Sequence, residues 1–306
     1  MIQKRIKPIL QCGREITIQE LSEIEETVKL FPKLSQGELA STICEHLEWR
    51  TASGGYKTDA CIKLLKKLEK KGALDVPIKT KRPRTKPKKS VALTSRTEPQ
   101  ADIVGDLKDI GLVKVEIVMD TERTALWNEY VSRYHYLDYK KPFGCFLRYF
   151  VECERGLLGC IMFGGASKAM TIRDHWIGWS EIQRLQNIAW VINNWRFLIF
   201  PWVRVKNLGS HTLGQVMRRV RDDWEERWGY SPVLAETFID PQHYEGISYK
   251  ASNWQYLGTT TGEGLVRKGK IYTTTPKRLF TYPLAKNFRE LLCSSGQLKG
   301  REDEEL

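Results

Sequence analysis

The stretch AETFIDPQHYEGISYKASNWQYLGTTTGEG, residues 235–264, holds Glu236, Asp240, His243, Tyr244 and Tyr249 within fourteen residues. Two carboxylates could hold a divalent cation such as Mg²⁺ for phosphodiester chemistry. The phenols of Tyr244 and Tyr249 could serve as general acids, or as nucleophiles in a nickase- or recombinase-like reaction, once a base or cation activates them. His243, His211 and His135 are the candidate imidazoles. Glu236 and Asp240 lie on or just past an expected strand. Four residues apart, they face one side about 13 Å from each other, too far to share a metal. A turn at Asp240-Pro241 would bring Asp240 back, with Asp120, Glu122 or Glu181 joining from elsewhere. The same residues also have an ordinary reading: Asp240 caps the next turn, Glu236 pairs with an arginine, and the tyrosines pack with one polar end wet.

A second group is Arg204-Val-Lys-Asn207-Leu-Gly209-Ser210-His, a loop running into a helix. Free amides at a helix N-terminus bind anions, so a nucleotide, a DNA phosphate or coenzyme A all fit there. A third is the load of Trp176, Trp179, Trp190, Trp195, Trp202 and Trp254, interleaved with Arg173, Arg184, Arg196 and Arg204. Trp190 and Trp202 are expected in the core. Trp176 and Trp254, with Arg173 and Arg196, are expected to meet unpaired or flipped bases.

These residues need elements to hold them. From about Val113 the pattern reads LVKVEIVMD strand, TERTALWNEYVSRYHYL helix, then FLRYFVECE and GLLGCIMFGGAS as a hairpin turned at Arg155-Gly156. A helix around SEIQRLQNIAWVI, a strand RFLIFPWVRV, a helix HTLGQVMRRVRDDWEERWG, a strand over 233–239 and a short helix over 246–254 follow. KIYTTTP and KRLFTYPL read as closing strands, which makes an α/β domain around a mixed sheet. Upstream, TIQELSEIEETVKLFPKL, SQGELASTICEHLEW and TDACIKLLKKLEKKGAL read as three helices joined by tight turns. Ser35 with Glu38 is an N-cap pair, and Leu39, Ile43 and Leu47 share one face. This suggests a winged helix-turn-helix whose third helix carries Lys63, Lys66, Lys67, Lys70 and Lys71, with Arg50 and Lys57 just before it. A lysine face supplies affinity for phosphates rather than sequence choice. KTKRPRTKPKK, residues 79–89, has nothing apolar and reads as a mobile linker whose Lys81, Arg82, Arg84 and Lys86 suit a phosphate backbone. The expected layout is residues 1–78 winged-helix-like, 79–104 flexible basic linker, 105–285 α/β, and 286–306 a polar tail.

A formal charge of +12 and a pI near 9.3 point to a polyanionic partner. The seven cysteines form no C-x-x-C pair and no regular spacing with histidine, which supports neither a zinc ribbon nor a disulfide framework. No apolar run approaches a membrane span and the first residues are too polar for a signal peptide, so a cytoplasmic protein away from membranes is expected.

The element order resembles the GNAT acyltransferase fold. In that family a Gln/Arg-x-x-Gly-x-Gly/Ala loop holds the pyrophosphate of acyl-CoA. Here Arg204 and Gly209 fit the loop and Asn207 replaces its middle glycine. The resemblance also implies that Tyr249 lies where a general acid toward the departing thiolate would stand. More of the chain resembles the DruA family of Druantia anti-phage systems, whose members also occur beside or fused to transposases. YHYLDYKKPFG (134–144), IGWSEIQRLQNIAWVINNWRFLIFPWVRVKNLGSHTLG (177–214) and ETFIDPQHYEGISYKASNWQYLGTTTGEG (236–264) carry that resemblance. It implies a defence or mobile-element context, with other defence or transposition proteins as partners. Three functions stay open: a DNA-binding protein that cuts or joins strands, with duplex on the helical domain and single strand on the α/β domain; an acyltransferase using acyl-CoA; and a non-catalytic scaffold.

Overall fold

The computed structural model describes residues 8–32, 34–76, 91–262, 274–296 and 298–300. The chain forms two compact units, one of residues 1–87, 180–187 and 294–306, the other of 88–179 and 188–293.

The first unit begins with an antiparallel hairpin of β1 (Ile9–Gln11) and β2 (Arg14–Ile16). Three helices follow: α1 (Ile18–Leu30), α2 (Gln36–His46) and α3 (Thr58–Lys70). Thr17 with Glu20 and Ser35 with Glu38 close reciprocal capping boxes, which satisfy amides that have no partner inside the helix. Ile24, Leu39, Ile43, Leu64, Leu65 and Trp49 make the core. Two features differ from a helix-turn-helix with tight turns. The hairpin precedes the helices, and residues 47–57 between α2 and α3 form a longer excursion pinned by an Arg50–Tyr56 bridge. Any wing after α3 falls on residues 77–90, outside those described.

In the second unit β3 (Ile103–Gly105) pairs in parallel with β8 (Val203–Val205). The main sheet contains β4 (Lys114–Ile117), β5 (Phe146–Cys153), β6 (Gly156–Gly165), β7 (Val191–Ile199), β9 (Leu234–Ile239), β10 (Gln255–Thr259) and β11 (Arg278–Pro283). Their order is β10-β11-β9-β7-β6-β5-β4, antiparallel except between β7 and β9. The apolar runs of β5 and β6 are buried because α4 (Thr121–Tyr134) and α7 (Leu208–Trp228) pack on the sheet. Leu213, Val216, Val220 and Trp224 supply the buried stripe of α7. α5 (Thr171–Ile177), α8 (Ile247–Ala251) and α9 (Phe288–Leu292) complete the unit, while α6 (Glu181–Asn187) groups with the first unit.

The mixed α/β sheet agrees with the pattern of the sequence, and several boundaries move. The helix expected through Ile192 ends at Asn187, because β-branched Val191 and Ile192 pair with β9 instead. Residues 91–104, expected in the flexible linker, are fastened: the amide and hydroxyl of Thr94 and the hydroxyl of Thr97 all donate to the Glu129 carboxylate. The segment expected as a polar tail contains α9, whose Phe288 stacks on Trp176 at 5.2 Å. Of the expected strand KIYTTTP, residues 270–273 lie outside those described.

Candidate functional site

β7 and β9 pair over only three residues each, Val191–Asn193 with Leu234–Glu236. Beyond that point they part. The cause lies on the other edge of β7, where its register against β6 runs Phe163 with Asn194 and Met162 with Arg196, leaving Trp195 as the extra residue of a bulge. Asn194 stitches the bulge, its Nδ2 donating to the carbonyls of Met162 (3.1 Å) and Arg196 (3.0 Å). Gly164 makes room for the displaced Trp195, because a Cβ there would stand 2.7 Å from the indole. The Trp195 Nε1 donates to the Gly165 carbonyl.

The gap between the parted strands is a cavity of about 320 Å³. Asn194, Phe197 and Ile199 of β7, Thr237 and Ile239 of β9, His135 and Tyr136 after α4, and Ser248 and Tyr249 of α8 line it. Tyr249 is buried against Phe197, Trp254 and Phe280. Its hydroxyl donates to Asn194 Oδ1 at 2.5 Å. Burial pushes its phenol above the ordinary range, so it carries its proton at neutral pH. His135 behaves in the opposite sense. Burial, and then the charge of Arg196, lower it to about 4, which keeps the ring neutral. Its Nδ1 accepts from the Leu137 amide at 3.1 Å, which leaves the proton on Nε2. Arg196 spends its donors on the carbonyls of Asp138 and Trp195.

Glu236 and Asp240 do not converge. Side chains alternate along β9, so Glu236 faces away from Thr237 and is fully buried. One of its oxygens accepts from the Ser167 amide and the other from Arg173 Nη1, both at 2.9 Å. Arg173, itself fully buried, also donates to the Ser167 carbonyl and to Asp174. Asp240 Oδ1 accepts from the Gln242 amide, as a turn cap does. Among the described residues, no three His, Cys, Asp or Glu side chains come close enough to hold a metal ion. His243 and Tyr244 are exposed and cluster with Tyr136, with ring centroids 4.5 and 5.8 Å from it and 6.3 Å from each other.

At the start of α7, Asn207 takes the left-handed conformation (φ 62°) and Ser210 Oγ donates to its carbonyl at 3.1 Å. Gly209 lies against Ser248 and Phe197, two residues of the cavity wall. Arg204 is exposed and paired with Asp102 at 2.5 Å. In the first unit Lys63, Lys66 and Lys67 are exposed on α3 and Lys57 is half-buried. Lys81, Arg82, Arg84 and Lys86 lie outside the described residues. Trp254, expected at the surface, is buried, and so are Arg173 and Arg196. Trp176, Phe288 and the guanidinium of Arg289 all contact one another. Asn194 and Tyr136 were not legible as site residues. Nothing in the local pattern marks the bulge that aims the one or the loop that brings the other to the cavity.

Solved structures similar to this chain include an N-acetyltransferase from Staphylococcus aureus Mu50, 10% identical with a TM-score of 0.35 over 57% of this chain and 99% of that one. The ribosomal-protein-S18-alanine N-acetyltransferase from Escherichia coli is 7% identical with a TM-score of 0.34, covering 57% and 95%. A Bacillus subtilis acetyltransferase in complex with CoA is 7% identical with a TM-score of 0.33, covering 56% and 99%. Likeness of this degree says nothing of this chain's ligand or reaction. No curated protein matches the sequence. Among the described residues no helix is long and apolar enough to cross a membrane. Residues 64–275, well over half of the chain, match the family model described as Druantia protein DruA, and the chain therefore belongs to the DruA family.

Proposed function

We propose that this protein is a DNA-binding component of a Druantia-type anti-phage system, or of a mobile element that carries the same family. The observation that supports this most is the face of α3. Lys63, Lys66, Lys67 and Lys70 are exposed on it, opposite buried Cys61, Leu64, Leu65 and Leu68. Such a stripe neutralises successive phosphates and releases their counterions. α3 takes the part of the groove-entering helix of a winged-helix module, and the basic run 79–89 extends the positive tract. The test is binding of a short duplex as a function of salt. Changing all four lysines to Gln should lower the slope of log affinity against log salt by about 3 to 4 if each meets a phosphate. An unchanged slope and affinity would remove α3 from the interface.

A second reading, acyl transfer from acyl-CoA in the second unit, is supported by the parted β7 and β9. The cavity lies beside the start of α7, where helix amides and dipole favour an anion such as a pyrophosphate. Tyr249, protonated and at the cavity wall, is placed to protonate a departing thiolate. Acetyl-CoA should raise the melting temperature of the wild type, and Gly209→Glu should abolish that shift. Tyr249→Phe should keep the shift and lose turnover. No shift at millimolar acetyl-CoA sinks this reading.

A further inference from the structure

We infer that the mouth of the β7–β9 cavity is a stacking platform for an unpaired base of single-stranded nucleic acid. Four rings from two separate segments meet there. Tyr136, after α4, stacks on His135 at 4.9 Å and 21°, and carries His243 at 4.5 Å and Tyr244 at 5.8 Å from the turn after β9. The cluster ends on an open ring. Tyr244 is 57% exposed and Tyr136 is 38% exposed, and both line the cavity. A soluble protein that leaves aromatic faces open around a cavity presents them to a partner.

The surroundings repeat the signal. Phe143 and Ile247 are, at 79% and 68%, the most exposed large apolar side chains among the described residues. Ile247 lines the cavity, and Phe143 lies 5.8 Å from Trp195, which also lines it. Flat apolar faces alone would suit many ligands, and exposed ammonium groups in the same segments add donors for a phosphate backbone. Lys140 and Lys141 are exposed in the loop between Tyr136 and Phe143, and Lys250 is exposed on α8. Three carboxylates stand nearby as well: Asp138, kept ionised by the Ser132 hydroxyl and the Tyr139 amide, Asp240, whose charge reaches the Tyr136 phenol, and exposed Glu245. Open aromatic rings beside lysines are how sequence-tolerant single-strand sites work: the base stacks and the ammonium groups follow the backbone. Duplex DNA offers no free base face, so this site is distinct in ligand from α3. The inference deepens the DNA-binding reading, and its test separates the two.

The probe is a short oligothymidylate carrying one 2-aminopurine, whose fluorescence falls when the base stacks. Wild-type protein should quench it. Tyr136→Ala and Tyr244→Ala should each weaken single-strand binding roughly tenfold or more and relieve the quench, while leaving duplex binding unchanged. Tyr136→Phe and Tyr244→Phe should restore both, because stacking uses the ring and not the hydroxyl. The variant with Gln at residues 63, 66, 67 and 70 should lose duplex affinity and keep the quench. Absence of quenching by the wild type, or wild-type quenching by the double alanine variant, would overturn the platform. So would loss of the quench in the lysine variant, or a change of oligomeric state in the alanine variants with no change in single-strand affinity. The latter would assign the rings to a protein contact.

Discussion

Glu236 and Arg173 are both shut off from water, and each charge is tolerable there because the other stands 2.9 Å away. Removing one partner leaves an uncompensated buried charge. Arg173→Met or Glu236→Gln should therefore lower unfolding free energy by about 3–5 kcal/mol in urea melts. Arg173→Met combined with Glu236→Gln should lose less than the two singles summed. Glu236 was visible in the sequence as a candidate for chemistry and Arg173 as a nucleic-acid contact, but their pairing spans 63 positions and no local pattern encodes it. His135 carries a pH signature instead. Its folded value near 4 lies below the ordinary 6.5, so between those values the unfolded chain binds more protons than the folded one. Stability from this group is level above about pH 6.5 and falls as pH drops toward 4, by on the order of 3 kcal/mol. In His135→Gln, denaturation midpoints measured across that window should lose this part of their slope.

At the scale of elements, the site depends on one extra residue in β7 and one close approach of helices. A Cβ on Gly209 would stand 2.5 Å from Ser248 Oγ, so α8 reaches α7 only over a glycine. Gly209→Ala should cost about 1–3 kcal/mol by overpacking. Adding Ser248→Ala removes the clashing oxygen and should recover part of that loss, which thermal melts of the two variants would show. The resemblance that places Gly209 in an anion-binding loop and the packing that needs it small are separate demands on one residue. Ligand binding distinguishes them where stability does not. Helix ends were the most legible features, because Thr17 with Glu20 and Ser35 with Glu38 satisfy amides three residues away. The end of the helix before Val191 was misplaced. Its apolar residues suit helix and buried strand alike, and only pairing with β9 decides between them.

At the scale of the whole molecule, the first unit is discontinuous in sequence. α6 and the segment from Ser294 group with the N-terminal hairpin and helices. Within that unit Gln186 Nε2 donates to the Gly13 carbonyl at 2.8 Å, and the Leu298 amide donates to Asn187 Oδ1 at 3.0 Å. Deleting residues 294–306 should therefore speed amide exchange in α6 while β5 and β6 keep their protection, as hydrogen exchange by mass spectrometry would report. Equal exchange in α6 would mean that the segment contributes nothing to the unit. The sequence by itself determined the basic charge, the helical start, the mixed α/β order and the family, because composition, apolar period and capping residues act between near neighbours. Tertiary structure alone decided that Glu236 is closed in a buried ion pair and that Trp254 is inside. It also decided that Asn194 meets Tyr249 across a cavity and that Tyr136 meets His243 and Tyr244 at its mouth. Those outcomes depend on where β7 leaves β9, and strand parting follows from long-range register and a bulge that no short stretch of chain specifies.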